Sequence, residues 1–100
     1  MKPLRIHPEA EAELQQAFEF YEQQAEGLGV DFLDEVERVW AAIRQLPESG
    51  SPADEGIRRS VIRRFPFVVF YEAQADQIVV WAVAHQRRKP QYWRHRRRRK

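Results

Sequence analysis

Four arginines, Arg58, Arg59, Arg63 and Arg64, fall on one short segment, and His85, Arg87, Arg88 and Lys89 close another. Tyr92 and Trp93 follow almost at once. If the two segments are neighbouring strands, their cations converge on one groove with two aromatics at its edge. The planar fork of arginine grips phosphate or carboxylate. Cations for phosphate with aromatics for stacking are what single-stranded RNA recognition requires, and the same charges suit an acidic protein. Attack by a ribose 2′-hydroxyl on its phosphate needs more: a proton acceptor, charge stabilisation and a donor for the leaving oxygen. His85, Arg59, Arg88 and Tyr92 are the residues that fit those roles. Each has a plainer alternative. A histidine closing an apolar strand is commonly a satisfied rim residue, and Tyr92 and Trp93 equally suit packing of a C-terminal segment onto the core.

Other chemistries find no footing. His7, His85 and His95 show no i, i+4 pairing, and no carboxylate stands at ligand spacing from His85, so no metal site is expected. Neither glycine-rich phosphate-binding pattern occurs, and no cofactor is expected. The serines, Ser49, Ser51 and Ser60, have no neighbouring histidine to activate them.

The elements that must position the cations follow from periodicity. Leu4–His7 reads as a short strand. Pro8 suits the first turn of a helix, Glu9, Glu11 and Glu13 favour its N-terminal end, and Ala10, Leu14, Ala17, Phe18, Tyr21 and Ala25 form one stripe. Gly27 and Gly29 mark its stop. A second helix carries Phe32, Leu33, Val36, Val39, Trp40, Ile43 and Leu46 on one face and ends at Pro47. The pair should make an antiparallel hairpin. Residues 47–56 have loop composition.

From Ile57 the period changes to two. Ile57, Arg59, Val61 and Arg63 share one face, and Arg58, Ser60, Ile62 and Arg64 the other, as in a half-exposed or bulged strand. Phe67–Glu72 and Ile78–His85 are apolar on both faces, like strands covered on two sides. Ala73–Gln77 is a natural hairpin loop between them. Trp40, Trp81, Phe18, Phe32, Phe67 and Phe70 are expected in the core. Pro90 breaks the last strand, and Arg94, Arg96, Arg97, Arg98, Arg99 and Lys100 read as a mobile, self-repelling tail. The expected fold is α+β: β-α-α-β-β-β, a mostly antiparallel sheet with an N-terminal helical hairpin packed on one face. Residues 1–96 make one domain and 97–100 a basic tail.

Net charge is only +2, but residues 1–55 carry 4 basic and 13 acidic side chains, against 13 basic and 2 acidic over residues 56–100. Such asymmetry predicts a directed binding face. With no cysteine, disulfides and thiolate metal sites are ruled out, which fits a reducing cytoplasm. Met1–Leu14 lacks the apolar segment of a signal peptide, and Ile78–Ala84 is far too short to span a bilayer. A cytoplasmic protein without membrane contact is expected.

Taken end to end, the residues resemble the toxins of the RelE/ParE superfamily from bacterial type II toxin–antitoxin systems. The likeness runs over Glu13-Leu14, Ala17 and Tyr21, then Leu28-Gly29, Phe32, Ile43, Pro47 and Ile57-Arg58-Arg59. It is strongest at Phe65-Pro66-Phe67-Val68-Val69-Phe70-Tyr71, Ala82-Val83-Ala84-His85 and Arg87-Arg88-Lys89-Pro90, and finishes with Tyr92-Trp93 and Arg96. The resemblance implies a cognate antitoxin that wraps the toxin with an extended or helical segment. Two targets are compatible with it: DNA gyrase, bound without turnover by ParE-like members, or the ribosome and its mRNA, cut by RelE-like endoribonucleases. Ribonuclease relatives usually keep an arginine in the central strand motif, where this chain has Phe67. The resemblance is therefore closer to the ParE-like branch. It implies a gyrase-inhibiting toxin whose partner-binding residues are Arg58, Arg59, Arg63, Arg87, Arg88 and Trp93. The alternative, a ribosome-dependent nuclease, would use His85, Arg59, Arg88 and Tyr92.

Overall fold

In the computed structural model, residues 1–89 and 91–98 are described, Arg98 by its backbone alone. The chain opens with β1 (Leu4–Ile6) and α1 (Pro8–Gln24). The His7 ring caps the helix, its Nδ1 accepting from the Glu9 N–H at 3.1 Å, with Pro8 in the first turn. Glu22 ends α1 and starts α2 (Leu28–Gln45) with one carboxylate, which accepts the N–H groups of Gly27 and Gly29 at 2.9 Å each. Gly27 takes a φ of 87°, which needs no side chain. Gly29 lies so close to α1 that a Cβ would stand 2.8 Å from the Phe18 carbonyl oxygen.

Residues 47–56 differ from the expected loop. A 3-10 turn (Pro47–Ser49) leads into a further strand, β2 (Ser51–Asp54), antiparallel to β3 (Ile57–Ile62). Proline and polar residues are tolerated there because β2 is an edge strand with a bulge between Pro52 and Asp54. Gly56, at φ 72°, makes the tight turn back. Tyr71 anchors this addition from beneath. Its hydroxyl donates to the Pro47 carbonyl at 2.7 Å and accepts the Gly50 N–H at 2.9 Å, while Arg58 Nη1 donates to the Gly50 carbonyl at 2.8 Å.

β4 (Phe67–Ala73) and β5 (Ile78–His85) form the expected hairpin. The sheet order is β1-β5-β4-β3-β2, antiparallel except where β1 runs parallel to β5. The helices cover one face. Phe32, Val36, Val39 and Ile43 of α2 and Ala10, Leu14 and Ala17 of α1 pack on Ile62, Val69, Tyr71, Ile78, Val80 and Val83. The apolar stripes are narrower than their periodicity: Ala25, Leu33 and Leu46 are exposed and Phe18 is half-buried.

The opposite face is covered too. Ile57, Val79, Trp81, Ala82 and Trp93 form a second core, so seven of the eight residues of β5 are buried. Trp93 supplies the cover, its ring stacked on Phe70 at 5.1 Å and 30°. It leads into α3 (Arg94–Arg98), and here the expectation of a free tail fails for Arg94, Arg96 and Arg97. Arg94 pairs with Asp54 at 2.9 Å, and Arg97 donates to the Glu55 carbonyl at 3.0 Å. The reason is opposite charge already waiting on β2, β4 and α1. Pro90, the Arg98 side chain, Arg99 and Lys100 lie outside the described residues.

Candidate partner-binding site

The β3–β4–β5 register decides which cations meet. Arg59 stands opposite Phe70 and Phe70 opposite Ala82; Val61 stands opposite Val68 and Val68 opposite Ala84. Directly opposed residues share a face, so Arg59 and Val61 lie with Phe70 and Trp93 on the face turned from the helices. At the end of β5 the chain folds over tightly. The Arg87 N–H donates to His85 Nδ1 at 3.0 Å and the Arg88 N–H to the His85 carbonyl at 2.9 Å. The turn throws Arg87, Arg88 and Lys89 into solvent. A groove of about 480 Å³ results, in which Arg59, His85, Arg88 and Lys89 face one another over Phe70 and Trp93.

The expected site residues therefore divide. Arg59, Arg87 and Arg88 are exposed on or beside this groove, and Arg63 is exposed in the β3–β4 turn without lining it. Arg58 is half-buried and holds the 47–50 turn. Trp93 is only 1% exposed, so it builds the groove's floor without offering its ring to a partner. Its indole Nε1 has no hydrogen-bond partner among the described residues.

Tyr92 is committed elsewhere. Its hydroxyl donates to Glu13 Oε2 at 2.5 Å, and the Arg88 guanidinium lies 3.9 Å over its ring. Burial, then the hydrogen bond and charge of Glu13, push the phenol above its ordinary value. Phe67 packs against Tyr21, Phe32 and the His85 ring.

Periodicity and motif gave no sign of Glu13 and Arg96 as a pair. Beyond the end of β1, the outer edge of β5 has no strand beside it among the described residues. Two charged side chains substitute. Arg96 Nη1 donates to the Trp81 carbonyl at 2.9 Å, and Glu13 Oε1 accepts the Val83 N–H at 2.9 Å. The two then join, Arg96 donating to both Glu13 oxygens at 2.9 and 3.1 Å. Arg96 Nε lies 3.3 Å from Glu9, without the alignment of a hydrogen bond. Burial works to lower the Arg96 pKa, but the hydrogen bonds and charge of Glu13, with the charges of Tyr92 and Glu9, leave it raised. The available signal was Glu9 and Glu13 at i, i+4 on one helix face, opposite a run of arginines. Among the described residues no group of three or more histidines or carboxylates is placed to hold a metal.

The sequence profile described as "ParE toxin of type II toxin-antitoxin system, parDE" matches residues 4–90. The chain belongs to the ParE toxin family. The ParE fold is visible independently in a solved structure, the chromosomal ParDE toxin–antitoxin system from P. aeruginosa. It superposes with a TM-score of 0.73 at 16% identity, covering 85% of this chain and 96% of that one. Comparison with curated protein sequences finds no significant match. No helix among the described residues of this ParE-family chain is long and apolar enough to cross a membrane.

Proposed function

We propose that this chain is the toxin of a type II pair, that it arrests growth by binding DNA gyrase, and that a cognate antitoxin neutralises it. Membership of the ParE family supports the class. One observation supports binding over cutting: among the described residues the cationic groove has no assembled acid–base pair. Tyr92, the candidate proton donor, gives its hydrogen to Glu13, and His85 Nδ1 already accepts the Arg87 N–H. What stays exposed is fixed positive charge, at Arg59, Arg63, Arg87 and Arg88. Such a surface steers and orients an acidic partner. Arg58 and Trp93 act by holding β3 and the floor in place.

Purified toxin tested for gyrase supercoiling and for cleavage of translated mRNA separates the two targets. Inhibited supercoiling with intact message is the expected result, and Arg59→Glu with Arg88→Glu should abolish inhibition while leaving the melting curve within about 3 °C. Unimpaired supercoiling at toxin levels that stop growth overturns the reading, and codon-specific cleavage replaces it with the nuclease.

A further inference from the structure

The cations of the second half of the chain fall into two groups. Arg58, Arg94, Arg96 and Arg97 each hold a carbonyl or carboxylate of their own chain. Arg59, Arg87, Arg88 and Lys89 pair with no carboxylate among the described residues. These four lie on or beside the groove of about 480 Å³ over Phe70 and Trp93, and no described carboxylate lines it. The fold has neutralised the arginines it uses and gathered the free cations in one place.

The groove is also built. The Arg88 guanidinium lies 3.9 Å over the Tyr92 ring, which Glu13 clamps through the hydroxyl, so the planar fork is held with its N–H edges free. Arg59 stands on β3, two strands from β5 and so roughly 10 Å across the sheet. The two arginines therefore rise on opposite walls. Between them Val61, 51% exposed, and half-buried Phe70 make an apolar strip. Protein–protein interfaces deplete charge at their centre and build on open aromatic anchors. Here the centre is cationic and the largest ring, Trp93, is sealed beneath it. Cations on two walls above an apolar floor are the form that tracks a nucleic-acid backbone.

We propose that this groove holds the backbone of one DNA strand while the toxin is on gyrase. Arg59 and Arg88 take phosphate from opposite walls, with Lys89 beside them, and the sugar and base lie over Val61 and Phe70. The inference rests on the gyrase reading and deepens it: the toxin grips the nucleic acid that the enzyme carries, and not its protein surface alone. Phosphate contacts fix a strand in place without reading its sequence, so the grip is independent of the site at which gyrase is working.

The test measures binding of the full-length toxin to purified gyrase with and without a bound duplex, and to an oligothymidylate of about 12 nucleotides. Bound DNA should raise the affinity for gyrase about tenfold or more. For the oligothymidylate, log affinity should fall against log salt with a slope of about −2, as three phosphate contacts require of a single strand. Arg59→Gln and Arg88→Gln should each make that slope shallower by about 0.7, and together bring the DNA enhancement below about twofold. Arg38→Gln, on the exposed face of α2, should change neither. Melting curves establish that the variants fold, and the slope of the unaltered toxin tests the contacts without any substitution. Equal affinity for gyrase with and without DNA overturns the proposal and leaves the gyrase reading standing. If the arginine variants instead lose DNA-free gyrase and the unaltered toxin shows no DNA enhancement, the groove belongs to an acidic surface of the enzyme and the proposal falls. Oligouridylate bound about tenfold tighter than oligothymidylate assigns the groove to RNA and overturns it as well. Absence of any binding to gyrase overturns both readings.

Discussion

Replacing Glu13 by glutamine keeps the shape of the side chain and removes its charge, and the structure sets what that removal costs. All four bonds to the carboxylate come from donors: the Val83 N–H and Arg96 Nη1 on Oε1, the Tyr92 hydroxyl and Arg96 Nη2 on Oε2. A glutamine presents one oxygen and one NH₂. Whichever way it is turned, two donors lose their acceptor: one nitrogen of Arg96 always meets the NH₂, joined by the Val83 N–H in one orientation, while in the other the Tyr92 hydroxyl can turn to accept from it. Arg96 is nearly sealed, with its side chain 5% exposed against 14% for Glu13. Removing one partner of a buried ion pair costs about 3–5 kcal/mol. Glu9 remains 3.3 Å from Arg96 Nε, and an open cavity of about 430 Å³ between α1 and the end of β5 reaches Glu13, which places Glu13→Gln near the lower end, at about 3 kcal/mol. For a domain of this size that is a fall in melting temperature of roughly 15 °C. Urea unfolding followed by circular dichroism measures the loss directly. Arg96→Met on the same background should restore part of it, since no unpaired guanidinium is then left buried. A loss below about 1 kcal/mol, or no rescue by Arg96→Met, refutes the account of Glu13 as the acceptor that closes the sheet edge.

Two further predictions concern stability. Because Tyr92 is raised above its ordinary value on folding, its contribution is fully present below the unfolded tyrosine pKa and is lost as pH climbs through the folded one. Stability should therefore decline from about pH 10 upward, and Tyr92→Phe should flatten that decline in alkaline urea titrations while lowering stability at pH 7. An equally steep decline in Tyr92→Phe removes the phenol as its cause. At Gly50 a Cβ would stand 2.6 Å from the Tyr71 hydroxyl and 2.7 Å from the Arg59 carbonyl oxygen. Gly50→Ala should cost roughly 2 kcal/mol by displacing the 47–50 turn, and a urea midpoint unchanged from wild type counts against that packing.

Much of the architecture was legible because it is periodic. The helix stripe at Ala10, Leu14 and Ala17, and the doubly apolar run of β5, announce their partners whatever the surroundings. β2 was not legible, since Ser51-Pro52-Ala53-Asp54 has no apolar alternation. Its pairing depends on Tyr71 and Arg58, which hold the turn before it from a distance along the chain. The C-terminal helix was hidden for a related reason. A run of arginines repels itself when considered alone, and only the folded chain brings Asp54, Glu55, Glu72, Glu9 and Glu13 against it. The cations of the groove were legible by type, but their division into exposed Arg59 and Arg88 and tethered Arg58 follows from register. Trp93 was divided between floor and contact until its stacking on Phe70 placed it in the floor.

The pairing of Glu13 with Arg96 joins residues 83 positions apart. On a ribosome, α1 emerges long before the side chain that completes its far contact, and the sheet edge at Trp81 and Val83 waits with it. Long-range contacts of this kind form late, because the closure entropy must be overcome first. Until residue 96 is free of the exit tunnel, the nascent chain therefore exposes Trp81, Val79 and Phe70 without their cover. That interval, rather than the finished fold, is when a growing chain of this toxin is most prone to sticking to its neighbours.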